Sequence, residues 1–103
     1  MITADMYKII ENNRGKLKIL GEHGEEAIHV FHCAETIEEL KEDVANIYIV
    51  AESSGNFARL HLITEFSETE ALEAVADYLR EKEGDEEPDL IAVMQVELEY
   101  INS

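Results

Sequence analysis

Two strands and a tight turn are encoded in IYIVAESSGNFARLHLITEF, residues 47–66. Apolar, β-branched and aromatic side chains dominate residues 47–52 and 57–66, which is typical of strands. Between them lies Ser53-Ser54-Gly55-Asn56, a cluster of turn-forming residues. This tract lacks the spacing and the lysine of a phosphate-binding P-loop. The segment therefore predicts a β-hairpin rather than a nucleotide site.

A helix should follow the hairpin. Ser67 and Glu70 match a capping box, in which each side chain bonds the backbone amide of the other residue. An apolar stripe with helical spacing comes next, formed by Leu72, Val75, Ala76 and Leu79. Gly84 is a typical C-terminal cap, and Pro88 blocks any continuation of the helix. The pattern predicts a long amphipathic helix that ends near Gly84.

The remaining segments suggest further elements on both sides. Alternating side chains over residues 90–101 predict a last strand, with Met94 and Val96 on one side and Gln95 on the other. Upstream, residues 16–20 and 27–33 predict another hairpin. A short helix is predicted over residues 4–13, and a second capping box, at Thr36-x-x-Glu39, predicts another helix.

The predicted fold is a single α+β domain over residues 1–103. Its order is α-β-β-α-β-β-α-β, a mainly antiparallel five-stranded sheet with helices packed on one face. The two capping boxes lie 31 residues apart, so a weak internal β-β-α repeat, about 16–46 and 47–84, is one interpretation. The alternative is that any β-β-α unit requires a cap and alternating strands.

Charge is the dominant feature of the composition. The net charge is −16, from 8 Lys and Arg against 24 Asp and Glu. Nucleic acid and anionic membranes attract proteins through cationic contacts, so direct binding to either is not expected. No apolar run reaches the ~20 residues of a membrane span, and no secretion signal is recognisable. Together with Cys33 as the single cysteine, these features favour a cytoplasmic location.

Side chains that could carry chemistry do not form a recognisable motif. His29 and Cys33 lie too far apart along a strand to share a zinc ion, although His29 could face His61 from a neighbouring strand. Glu35 and the nearby glutamates oppose thiolate formation at Cys33. Glu97 and Glu99 share a strand face that should point to solvent. We therefore predict no catalytic residues, no metal site, no cofactor and no enzymatic activity.

The acidic surface is the candidate site. Carboxylates on the outer faces of two predicted helices should bind a partner, at Glu70, Glu73, Asp77 and Glu81 of the longer helix and Glu38, Glu42 and Asp43 of the shorter one. Like charges four residues apart cost about 0.2–0.5 kcal/mol of helix stability per pair. A basic protein partner would relieve this cost, whereas solubility alone is the competing explanation.

Three functions are compatible with these features. The first is a small acidic protein-binding module, similar in size and charge only to inhibitors, immunity proteins and nucleic-acid mimics. The second is a self-associating accessory domain, such as a homodimer formed through a sheet face or edge. The third is a small-ligand-binding domain or minor enzyme that uses His29, His61 or Cys33.

Overall fold

A computed structural model describes residues 17–24, 27, 46–55 and 57–96. Within these residues the fold is α+β, with one complete helix and a four-stranded antiparallel sheet. The elements in chain order are β1 (Lys18–Ile19), β2 (Asn46–Ser54), β3 (Phe57–Glu65), α1 (Glu68–Glu83) and β4 (Leu90–Val96). The strands lie in the order β1-β4-β2-β3. Among the described residues, no helix combines the length and apolar character that crossing a membrane requires.

The predicted hairpin is confirmed as β2 and β3. Their pairing runs from Asn46 opposite Glu65 to Ser54 opposite Phe57, which leaves a two-residue loop. Gly55 begins that loop with φ of 68°, a left-handed conformation that only glycine adopts at little cost. The short loop fixes the register, so residues whose numbers add to the same total lie opposite each other along the whole hairpin.

β4 and β2 form the centre of the sheet. β4 runs antiparallel to β2, with Ile47 opposite Val96, and a register irregularity falls between Ala51 and Glu52. On its other side β4 pairs with β1, where Lys18 lies opposite Val93. The main chain of β4 is therefore bonded to a neighbour on each side. This arrangement brings the start of the described chain beside its end.

The predicted helix is confirmed as α1, and both of its ends are capped. The Ser67 side chain accepts a hydrogen bond from the Glu70 amide at 3.2 Å. At the other end Gly84 has φ of 69°, and the Asp85 amide donates to the Leu79 carbonyl at 3.2 Å. The Gly84 amide donates to the same carbonyl, so the two residues that follow Glu83 close the last turn of the helix. Both termini of α1 are thus fixed by local interactions.

Both faces of the sheet are buried. α1 covers one face by packing Ala71, Val75 and Leu79 against a cluster that includes Val50 and Val93. The opposite face carries a second apolar cluster, formed by Ile47, Ile49, Ala51, Ala58, Leu60, Leu62, Ile91, Ala92, Met94, Val96 and Ala27. The prediction of helices on one face only is therefore wrong for these strands, because the second face is also buried and helical Ala27 packs on it.

The predicted five-stranded, three-helix order is also wrong in the part that the structure describes. Residues 16–20 were expected to pair with 27–33, but β1 pairs with β4 instead. Ala27 is helical and 2% exposed, and it packs on the second sheet face. It therefore covers the sheet rather than extending it. The rest of 27–33, the predicted helix at 4–13 and residues 97–101 lie outside the described residues.

Other predictions remain open. The Thr36-capped helix lies outside the described residues, as does most of the first proposed repeat unit, 16–46. The repeat therefore stays a prediction, and so does the single-domain assignment. The last predicted strand is confirmed over Leu90–Val96, where Met94 and Val96 are buried and Gln95 is exposed.

Candidate functional site

Four of the predicted site residues lie on the outer surface of α1. Glu70, Glu73, Asp77 and Glu81 are all exposed, while the buried side of the same helix faces the sheet. They are spaced by three or four residues, which places neighbouring carboxylates within one helical turn of each other. We call these four residues the α1 carboxylates. The other predicted site residues, Glu38, Glu42 and Asp43, lie outside the described residues.

The protein's own cations neutralise the α1 carboxylates only in part. Arg80 donates to Asp77 at 3.2 Å, and both side chains are more than half exposed. Within the described ranges, Glu70, Glu73 and Glu81 form no ion pair. The Lys18 ammonium is instead bound 2.7 Å from Glu68, where it ties β1 to the first turn of the helix. Three of the α1 carboxylates thus lack a cation on this part of the chain.

An open groove runs beside the α1 carboxylates, between α1 and the start of β4. Its volume is about 530 Å³. Its lining combines three apolar residues with two carboxylates and one guanidinium, from Leu72, Ala76, Leu90, Glu73, Asp77 and Arg80. The three apolar residues are only partly buried. The surface of α1 therefore offers an apolar strip that is bordered by negative charge.

A second charged cluster lies between the sheet and the C-terminal half of α1. Glu52 on β2 is 2% exposed, although it carries an ionisable side chain. Arg59 on β3 lies opposite, and its Nε donates to one Glu52 oxygen at 2.8 Å while its Nη2 lies 2.6 Å from the same oxygen as an ion pair. His61 Nε2 lies 3.3 Å from the same oxygen. We call Glu52, Arg59 and His61 the buried charge cluster.

Arg59 links this cluster to the helix. Its Nη1 donates to Glu83 on α1 at 2.8 Å. The hydrogen bond to Glu83, reinforced by contact with Glu52, raises the pKa of Arg59 and keeps it charged. The same hydrogen bond from Arg59 lowers the pKa of Glu83. One guanidinium therefore holds a buried carboxylate of the sheet and a partly exposed carboxylate of the helix.

The buried charge cluster is suited to structural support. His61 has no exposed surface, and its ring lies 6.4 Å from that of Tyr78 on α1. Glu52 and His61 are both shielded from solvent, and Glu52 contacts both Arg59 and His61. Among the described residues, no three or more His, Cys, Asp or Glu side chains are placed so that together they could hold a metal ion. His29, which could face His61 from a neighbouring strand, lies outside the described residues, so the structure does not test that alternative.

The sequence analysis did not identify the buried charge cluster, although the register of the predicted hairpin places two of its residues opposite each other. With Ser54 opposite Phe57, Glu52 must lie opposite Arg59. Opposite charges facing each other on neighbouring strands are a recognised stabilising pair. The groove could not have been found this way, because Leu90 approaches α1 only in the folded structure.

Comparison with known proteins identified no relative of this chain. No protein-family model matches the sequence, and no curated protein or solved structure shows a significant match to it.

Proposed function

We propose that the chain is a protein-binding module whose basic partner docks on the outer surface of α1. The observation that carries this proposal is the set of α1 carboxylates. They are exposed on a helix that is capped at both ends and packed on the sheet. Such a helix presents its charges in a fixed arrangement, so a partner meets them without ordering them first.

Electrostatics supplies the driving force. The net charge of −16 attracts cations from a distance, and unpaired neighbouring carboxylates repel each other on the free protein. A partner that brings lysine or arginine side chains relieves this repulsion. Its binding should therefore be fast and should weaken as salt rises.

The proposal can be tested with two variants of equal net charge. The helix variant neutralises the α1 carboxylates as E70Q/E73Q/D77N/E81Q. The loop variant neutralises four carboxylates elsewhere as E22Q/D85N/E86Q/E87Q. Each immobilised protein is exposed to cell lysate at about 0.1 M and about 1 M salt, where the screening lengths are about 10 and 3 Å. Bound proteins are then identified by mass spectrometry.

We expect the unmodified chain to retain a specific basic protein at the lower salt and to release it at the higher salt. The loop variant should keep most of this binding, and the helix variant should lose it. If acidity serves only solubility, no specific basic protein is enriched. Equal loss in both variants would show that overall charge, and not the α1 surface, governs binding.

A further inference from the structure

We infer that the groove between α1 and β4 receives a short cationic amphipathic helix of the partner. The inference rests on the proposed function and deepens it, because it specifies where the partner inserts and what chemistry it brings. The groove is separate from the buried charge cluster, because none of that cluster's residues lines it.

The floor and rim of the groove call for two kinds of side chain at once. Leu72, Ala76 and Leu90 leave apolar surface partly in water, which an apolar partner side chain would cover. Glu73 and Asp77 border that surface with negative charge, and the one cation among the lining residues, Arg80, is already bonded to Asp77. Apolar residues flanked by lysine or arginine complement this arrangement.

A helix suits the groove better than an extended strand. Peptides that add to a sheet gain affinity from main-chain hydrogen bonds at a free strand edge. The groove offers mainly helix side chains instead, because five of its six lining residues belong to α1 and only Leu90 belongs to β4. A helical segment satisfies its own backbone and docks through side chains alone.

The groove also limits the length of the segment. From Leu72 to Arg80 it follows α1 for eight residues, which corresponds to about 12 Å of helix axis. A partner helix of about two turns would span it. Its apolar side chains would lie three or four residues apart to face the groove.

Two synthetic peptides of identical composition test this inference. The first is a 12-residue peptide of leucine and lysine in which the leucines form one helical face. The second contains the same residues in scrambled order, so that no apolar face forms. Both are titrated into the full chain at about 0.1 M salt, and the dissociation constants are measured by calorimetry.

Two substitutions test whether the amphipathic peptide binds in the groove. Ala76→Phe fills the groove without changing charge. Gln95→Phe adds the same side chain at an exposed position near the far end of β4 and serves as the control. Thermal unfolding of both variants checks that they fold, and the comparison of the two peptides on the unmodified chain does not depend on either variant.

We expect the amphipathic peptide to bind at least about tenfold more tightly than the scrambled one, as burial of one large apolar side chain should give. Ala76→Phe should remove that difference, and Gln95→Phe should preserve it. Equal affinity for both peptides, or a difference that survives Ala76→Phe, overturns the groove inference and leaves the proposed function standing.

Two other results contradict the inference that a cationic helix binds in the groove. If neither peptide binds, the groove inference fails, and the lysate experiment with the helix and loop variants decides the proposed function. If the chain alone sediments as a dimer that Ala76→Phe converts to a monomer, a second copy occupies the groove, and the inference of a cationic helix is wrong.

Discussion

Replacing Arg59 by methionine should destabilise the fold through the buried carboxylate it leaves behind. Glu52 has a side chain only 3% exposed, and Arg59 contacts one of its oxygens through a hydrogen bond from Nε and an ion pair from Nη2. Methionine keeps much of the apolar stem but provides no donor. Glu52 would then have to stay buried without its cation, or leave the interior and disturb the packing of α1 on the sheet.

The size of the effect follows from burial. Removing one partner of a buried ion pair costs about 3–5 kcal/mol, whereas exposed pairs contribute about 0–1 kcal/mol. The Arg59 side chain is 21% exposed, so we expect a value near the lower end, about 3 kcal/mol. Replacing both residues, as E52L/R59M, should cost less than R59M alone, because no charge is left buried.

Urea unfolding followed by circular dichroism measures these differences, which suits a chain without tryptophan. Arg80→Met is the matched control, since it also removes one arginine and one ion pair, but at a site where both side chains are more than half exposed. We expect it to cost less than about 0.5 kcal/mol. A cost for R59M as small as that of R80M would refute this reasoning. So would a cost for E52L/R59M that equals the sum of the costs of E52L and R59M measured separately.

Three further predictions concern α1. Ser67→Ala should lower stability by about 1 kcal/mol, because the Glu70 amide loses its acceptor, and urea unfolding measures it. Gly84→Ala should cost about 1–2 kcal/mol through its left-handed backbone alone, since no neighbouring atom lies within 4 Å of an added Cβ. An equal cost for Gly84→Asn would argue against this cause. Glu83→Gln should cost less than about 0.5 kcal/mol at pH 7, because Glu83 is partly exposed. Its pKa is depressed in the folded state, so this stability is present above the ordinary value of 4.5 and is lost as pH falls below it. Unfolding curves of Glu83→Gln and the unmodified chain should therefore converge in acid.

Local signals predicted the elements whose ends are determined locally. The hairpin follows from strand-forming residues around a turn that needs Gly55 in a left-handed conformation. The helix follows from the Ser67 cap, its apolar stripe and Gly84. In each case the deciding interactions join residues close in the sequence, so pattern alone sufficed.

The pairing of strands that are distant in the sequence could not be predicted from the sequence. Lys18 lies opposite Val93, and no local pattern links those two residues. The alternation from Ala27 onward resembled a strand, yet Ala27 is helical and buried against the sheet, so tertiary packing overrode local preference there. Burial of both sheet faces did have a signal, because uninterrupted apolar runs such as Ile91-Ala92-Val93-Met94 indicate strands covered on two sides.

The acidic residues of the candidate site could be predicted from the sequence, but the apolar surface beside them could not. Spacing alone placed Glu73 and Asp77 on the outer side of a helix, and they are exposed there. The apolar strip beside them depends on Leu90, which comes from a different element. Partner docking therefore remains a proposal built on that juxtaposition.

NMR chemical-shift mapping of the isotope-labelled chain, titrated with the amphipathic leucine–lysine peptide, tests the docking surface most directly. The account predicts that the perturbed backbone amides concentrate on α1 between Glu70 and Glu81 and at Leu90, and that the loop at residues 85–87 is affected much less. Perturbations centred on that acidic loop, or spread evenly over every exposed carboxylate, would contradict it.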